Sequence, residues 1–157
     1  MSHKNPIVIR TYIESASMTW PVPVEDVDAV ITHEAHSDEL EGYIHLELNS
    51  AVFMNERHLD NIVMLWGLIA NELPAFFGGQ TLSTNLPDQP ITLTLKPAGR
   101  WVEISRTGDG PELRQRVDRA AFNQAIRAAA HTFFEHLPTF APAMRPLSTH
   151  YLETLTA

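Results

Sequence analysis

Near residue 57 the hydrophobic pattern of this 157-residue chain changes from strand-like alternation to helix-like recurrence. No other feature restricts the fold as much. Upstream, Ile44, Leu46 and Leu48 alternate with Tyr43, His45 and Glu47, as in a strand with one buried face. Downstream, Leu59, Ile62, Val63, Trp66, Ile69, Ala70, Leu73 and Phe77 recur at three- and four-residue steps, which predicts an amphipathic helix. Its expected stop is Gly78-Gly79, where positive φ carries no steric cost, with Pro74 able to kink or end it a turn earlier.

The same logic runs through the rest of the chain. Ile7, Ile9 and Thr11 predict a first strand ending near Ile13, and a further short strand is expected from Val27 to Thr32. Ile91 to Leu95 and Trp101 to Ser105 flank a Pro97-Ala98-Gly99-Arg100 turn and predict a hairpin. Thr107-Gly108-Asp109-Gly110-Pro111 then turns the chain into a neighbouring strand from Leu113 to Val117. Asp118 stands where a helix N-cap acceptor is wanted, ahead of an apolar stripe from Ala121 to Leu137 with an expected stop at Pro138. The expected fold class is α+β: an antiparallel sheet of about five or six strands with two amphipathic helices packed on one face. Residues 1–137 form the expected domain. Residues 138–157 read as a Pro-rich tail, broken by Pro138, Pro142 and Pro146, in which Leu147, Tyr151, Leu152 and Leu155 form a last helical turn or two. That tail would dock on the body or join two copies as a homodimer.

Charge is distributed very unevenly. Residues 1–78 hold three Lys and Arg against twelve carboxylates, whereas the remainder holds eight against seven. Between Arg10 and Arg57 there is no Lys or Arg, while Glu14, Glu25, Asp26, Asp28, Glu34, Asp38, Glu39, Glu41, Glu47 and Glu56 all fall in that window. A net charge of −8 has the wrong sign for neutralising nucleic-acid phosphates, so nucleic acid is not an expected partner. The window is either a solvated acidic face or a surface that steers a basic partner. Beside it, Met18, Trp20, Pro21 and Val22 combine an apolar anchor with charged surroundings, as binding hot spots do, although Trp20 could equally plug the end of the sheet. The expected partner-binding set is Trp20, Glu25, Asp26, Asp28, Glu34, Asp38, Glu39 and Glu41. Arg100, Arg106, Arg114, Arg116 and Arg119 are expected to fold against the acidic window and pair with it.

Catalytic signatures are missing. The chain has no Cys, which removes disulfides, thiolate metal sites and a cysteine nucleophile. His33-Glu34-Ala35-His36 lacks the spacing of a His-Glu-x-x-His zinc helix, and His131 and His136 are five apart, on different sides of a helix. Glu135 is placed to pair with His131, and His45 reads as a surface residue beside Glu47. Trp66 and Trp101 read as core or semi-core residues. No cofactor, metal site or catalytic residue is expected. No apolar run reaches signal-peptide or membrane-span length, so the expected compartment is the cytoplasm.

Taken together, Gly42-Tyr43-Ile44-His45-Leu46-Glu47-Leu48, the helix around Trp66, Leu86-Pro87-Asp88-Gln89-Pro90-Ile91, the hairpin and the helix ending in Phe133-Phe134-Glu135-His136-Leu137 resemble small, uncharacterised bacterial proteins of immunity-protein type. The resemblance covers residues 40–137 and rests on pattern. It implies a stoichiometric binder that occludes the active site of a toxin with a basic surface, with no catalytic residues to carry over. The competing expectation is a small-molecule-binding domain or hydrolase, with a His and a carboxylate in a pocket between sheet and helices.

Overall fold

A computed structural model describes residues 7–14, 21–26 and 40–156. The class is α+β. The strands, expected in one sheet, divide between two antiparallel ones. The first holds β1 (Ile7–Glu14), β2 (Val22–Pro23), β3 (Glu41–Leu48), β4 (Ala51–Met54) and β5 (Asp60–Asn61). β1 pairs β3 along its whole length, from Ile7 opposite Leu48 to Glu14 opposite Glu41. β4 and β5 therefore share the other edge of β3, and β2 pairs β1 only at Tyr12 and Ile13. The second sheet is a meander of β6 (Leu82–Asn85), β7 (Thr92–Ala98), β8 (Trp101–Thr107) and β9 (Leu113–Asp118).

Helix α1 (Ile62–Phe77) links the sheets, starting at Asn61, whose side chain accepts the Met64 N–H at 3.0 Å. It runs past Pro74 to the expected Gly78-Gly79 stop, with Gly79 at φ 109°. α2 (Arg119–Phe140) starts at the expected cap, the Asp118 carboxylate accepting the Ala121 N–H at 2.9 Å. It does not stop at Pro138. Proline there forfeits one bond to the carbonyl a turn back, but Phe133, Phe134, Leu137 and Phe140 are all buried, and each buried aromatic contributes on the order of 2–3 kcal/mol. After a 3-10 turn at Pro142–Met144, residues Arg145–Thr156 form α3, longer than the turn or two expected. Pro146 falls in its first turn, where the missing N–H costs nothing. α3 packs on α1 and α2, burying Tyr151 and Leu155, and the Tyr151 hydroxyl donates to Asn71 Oδ1 at 3.0 Å.

One core joins the inner faces of both sheets to the helices. Trp66 lies at its centre, fully buried as expected, stacked on Phe133 and donating its indole N–H to Thr11 at 3.0 Å. Where β1, β3 and α1 meet, Gly42 leaves space that a Cβ would fill by striking the Tyr12 carbonyl oxygen and crowding Ile62. The strand expected at residues 27–32 lies outside the described residues.

Candidate functional site

The outward face of the first sheet follows from strand alternation. Val8, Arg10, Tyr12 and Glu14 of β1 stand opposite Glu47, His45, Tyr43 and Glu41 of β3, so all eight share one face. Tyr12 and Tyr43 stack with ring centroids 4.9 Å apart. At one end of this stack, Glu14 and Glu41 face each other directly, an arrangement that is repulsive in a sheet. Among the described residues neither makes an ion pair. At the other end Arg10 is claimed by Glu25 at 2.8 Å and Asp26 at 4.0 Å, both from a 3-10 turn at the edge of β1. Beyond it His45 approaches Glu47 at 3.4 Å. Burial pushes the pKa of the Tyr43 hydroxyl up, and the charges of Tyr12, Glu56 and Glu14 act in the same direction.

Of the expected partner-binding set, Glu25, Asp26 and Glu41 lie on or beside this face. Trp20, Asp28, Glu34, Asp38 and Glu39 lie outside the described residues, as do His33 and His36. Tyr12, Tyr43, Glu14 and Arg10 were not in that set. Alternation alone would have put Tyr43 and Glu41 on one face, but the stack depends on the register between β1 and β3.

The arginine cluster corrects an expectation. Arg114 pairs with Glu103 at 3.1 Å and Glu112 at 2.9 Å, Arg100 with Asp118 at 3.9 Å, and Arg106 with Asp109 at 3.4 Å. Arg119 donates to the Gly99 carbonyl at 3.3 Å. Among the described residues none of these, nor Arg116, pairs with the acidic window. A hairpin and the strand beside it place their own acids within reach of their arginines.

A second polar cluster braces the two sheets. Asn55 caps the 3-10 turn Glu56–His58, its backbone N–H donating to His58 Nδ1 at 3.1 Å. With Nδ1 an acceptor, Nε2 carries the ring proton and donates it to Asp109 Oδ2 at 2.8 Å. Arg57 reaches Asp109 Oδ1 at 3.3 Å, and the buried Arg106 donates to the Asp109 carbonyl at 2.9 Å and the Phe53 carbonyl at 3.2 Å. The hydrogen bond from His58 holds the Asp109 carboxyl below its ordinary range, and the charges of Arg57 and Arg106 reinforce it. Both ring nitrogens and both carboxylate oxygens are occupied, which suits a brace. Close by, the buried Asp60 carboxylate accepts the backbone N–H groups of Asn61 at 2.7 Å and Asp88 at 3.1 Å, and Gln89 Nε2 at 3.2 Å.

A cleft of about 510 Å³ separates β1 from α2. Its ionisable lining consists of Arg10 and Glu25, which engage each other, and His136, whose Nδ1–H donates to the Thr132 carbonyl at 2.8 Å. His131 pairs with Glu135 at 3.3 Å, as expected. Among the described residues no three His, Asp or Glu converge as metal ligands, and no helix is long and apolar enough to cross a membrane.

Comparison with protein-family models, curated proteins and solved structures finds no match to this chain.

Proposed function

We propose that this chain is a non-catalytic acidic binding protein that docks a partner with a basic surface through the outward face of β1 and β3. A cytoplasmic immunity protein, neutralising a cognate bacterial toxin by occlusion, is the form of that activity that fits best. One observation carries the reading: beside the stacked Tyr12 and Tyr43, Glu14 and Glu41 oppose each other, and among the described residues neither has a cation paired to it. Tyr12 is half-buried and is held rigid by its stack on the buried Tyr43. A fixed aromatic ring beside a charged field has the composition of an interface hot spot, and an excess of one charge speeds encounter with the opposite charge. A merely solvated face would need neither the stack nor the crowding of like charges.

The test measures association of the purified chain with the toxin encoded beside it, as a function of salt. The association rate should fall by about tenfold or more between low and high ionic strength, and Glu14→Gln with Glu41→Gln should lower it at low salt only. An association rate indifferent to both salt and the double substitution would overturn the proposal. The competing small-molecule or hydrolase reading needs a His and a carboxylate acting together in a sheet–helix pocket; His136 and Glu25 both line the β1–α2 cleft, but they engage the Thr132 carbonyl and Arg10 and not each other.

A further inference from the structure

We propose that the corner where α1 ends and α2 begins binds a phosphate monoester carried on an aromatic group. This site shares no residue with the outward face of β1 and β3, so it stands independently of the function proposed for that face.

Three turns of the chain meet at the corner. Phe77 closes α1 ahead of Gly78-Gly79, the β7–β8 hairpin turns through Gly99 and Arg100, and α2 starts at Arg119. Between them lies a pocket of about 390 Å³ lined by Phe77, Arg100, Asp118, Arg119, Ala120 and Asn123, a size usual for small-molecule sites. The Arg119 backbone N–H donates to the Arg100 carbonyl at 2.8 Å and its guanidinium to the Gly99 carbonyl at 3.3 Å, which ties the start of the helix to the hairpin turn.

Charge is the first part of the case. In a chain of net charge −8, this corner carries the opposite sign. Arg100, Arg119 and Arg127 stand against one carboxylate, Asp118, which lies 3.9 Å from Arg100 and is also committed to capping the Ala121 N–H. Among the described residues neither Arg119 nor Arg127 makes an ion pair. Nor does the end of α1 consume them, because the carbonyls of Pro74, Ala75 and Phe76 already accept the N–H groups of Gly78, Gln80 and Gly79. Two positive charges are left over. A phosphate monoester, close to a dianion at neutral pH, matches that excess, whereas a carboxylate or a sulfate ester supplies one charge.

Positioning is the second part. The Arg100 guanidinium lies 4.7 Å from the Trp101 ring centroid, and that of Arg127 lies 4.4 Å from the Phe77 ring centroid. A guanidinium held against a ring keeps N–H donors at its edge for an anion and has less side-chain freedom to lose on binding. Arg119 is fixed through Gly99 instead. Phe77 is half-buried and shares the pocket wall with Ala120, so an aromatic ester group meets apolar surface beside the cations.

The experiment titrates the full isotopically labelled chain with phenyl phosphate, phenyl sulfate and methyl phosphate, followed by amide chemical shifts at constant ionic strength. At about pH 7.5 phenyl phosphate should shift Gly79, Gly99 and Ala120 and bind about tenfold or more tighter than phenyl sulfate, which has its shape and one charge fewer. It should bind several-fold tighter than methyl phosphate, which lacks the ring. Below about pH 6, where the ester becomes a monoanion, its advantage over the sulfate should disappear. Arg119→Gln should weaken phenyl phosphate about tenfold, and Arg127→Gln, at an exposed position that leaves the hairpin tie intact, should weaken it several-fold. Equal affinity for phosphate and sulfate esters, methyl phosphate binding as tightly as phenyl phosphate, or shifts that both substitutions leave unchanged would overturn the proposal. A phosphotyrosyl peptide that binds tighter than phenyl phosphate with the same arginine dependence would support the site and assign the ester to a protein chain; weaker or equal binding would support it and assign the ester to a small molecule.

Discussion

In the meander of β6 to β9, Arg100, Arg106 and Arg114 each find a carboxylate on a neighbouring strand or turn, whereas in the first sheet Glu14 and Glu41 oppose each other and, among the described residues, pair with no cation. These three arginines are compensated within the meander, although Asp109 also takes Arg57 and His58 from the connection that follows β4. Among the described residues of the first sheet, Arg10 is paired with Glu25, but Glu14 and Glu41 are left without a cation. Both sheets supply the shared core, so the difference between them lies in the charge of their surfaces and not in which of them supports the fold.

The largest expected effect concerns whether the sheets are one folding unit at all. Phe133 is fully buried against Trp66, Phe134 and Phe140. Phe133→Ala should destabilise the chain by about 3–5 kcal/mol and shift a single unfolding transition seen equally by fluorescence and far-ultraviolet dichroism. Two separated transitions would make the sheets independent and the comparison between them one of two domains.

Next is the brace at Asp109. Its carboxyl titrates below the ordinary 3.8, chiefly because His58 donates to it, so the folded state is favoured by the ionised form. That contribution is complete above the unfolded value and is lost as pH falls through the lower folded one. The Tm of the native chain should exceed that of Asp109→Asn at neutral pH, with the gap closing in acid below about pH 4. A gap unchanged down to the lowest accessible pH would show that the charge of Asp109 does not hold the sheets together.

The smallest effects sharpen the contrast by sign. Glu41→Gln relieves the repulsion with Glu14 and should raise stability by about 0.2–1 kcal/mol at low ionic strength, a gain that salt removes. Arg114→Gln breaks two exposed pairs and should lower Tm slightly, again only at low salt. Equal signs in urea titrations of the two variants would erase the electrostatic distinction between the sheets.

Legibility followed the range of the interactions. β3, α1, the β7–β8 hairpin and the Asp118 cap rest on neighbours within a few residues and could be read directly. β4 was missed because its hairpin turns at Asn49 and Ser50, both at positive φ, without the glycine that usually marks such a turn. α3 was underestimated because Pro146 looks like a breaker until its position in the first turn is known. The excess of carboxylates was plain from composition. The stacking of Tyr12 on Tyr43 was not, since it needs a cross-strand register between segments far apart in the chain.

The crowded junction at Gly42 bears on how kin of this chain could be recognised. The Tyr12 carbonyl and Ile62 exclude even a methyl group there, so lineages that retain the fold can exchange most surface residues but not this one. A hydrogen atom for a side chain at that point, followed by an aromatic residue in Tyr43 and a helix carrying an indole at Trp66, is the fingerprint by which diverged descendants of the same ancestor should be sought.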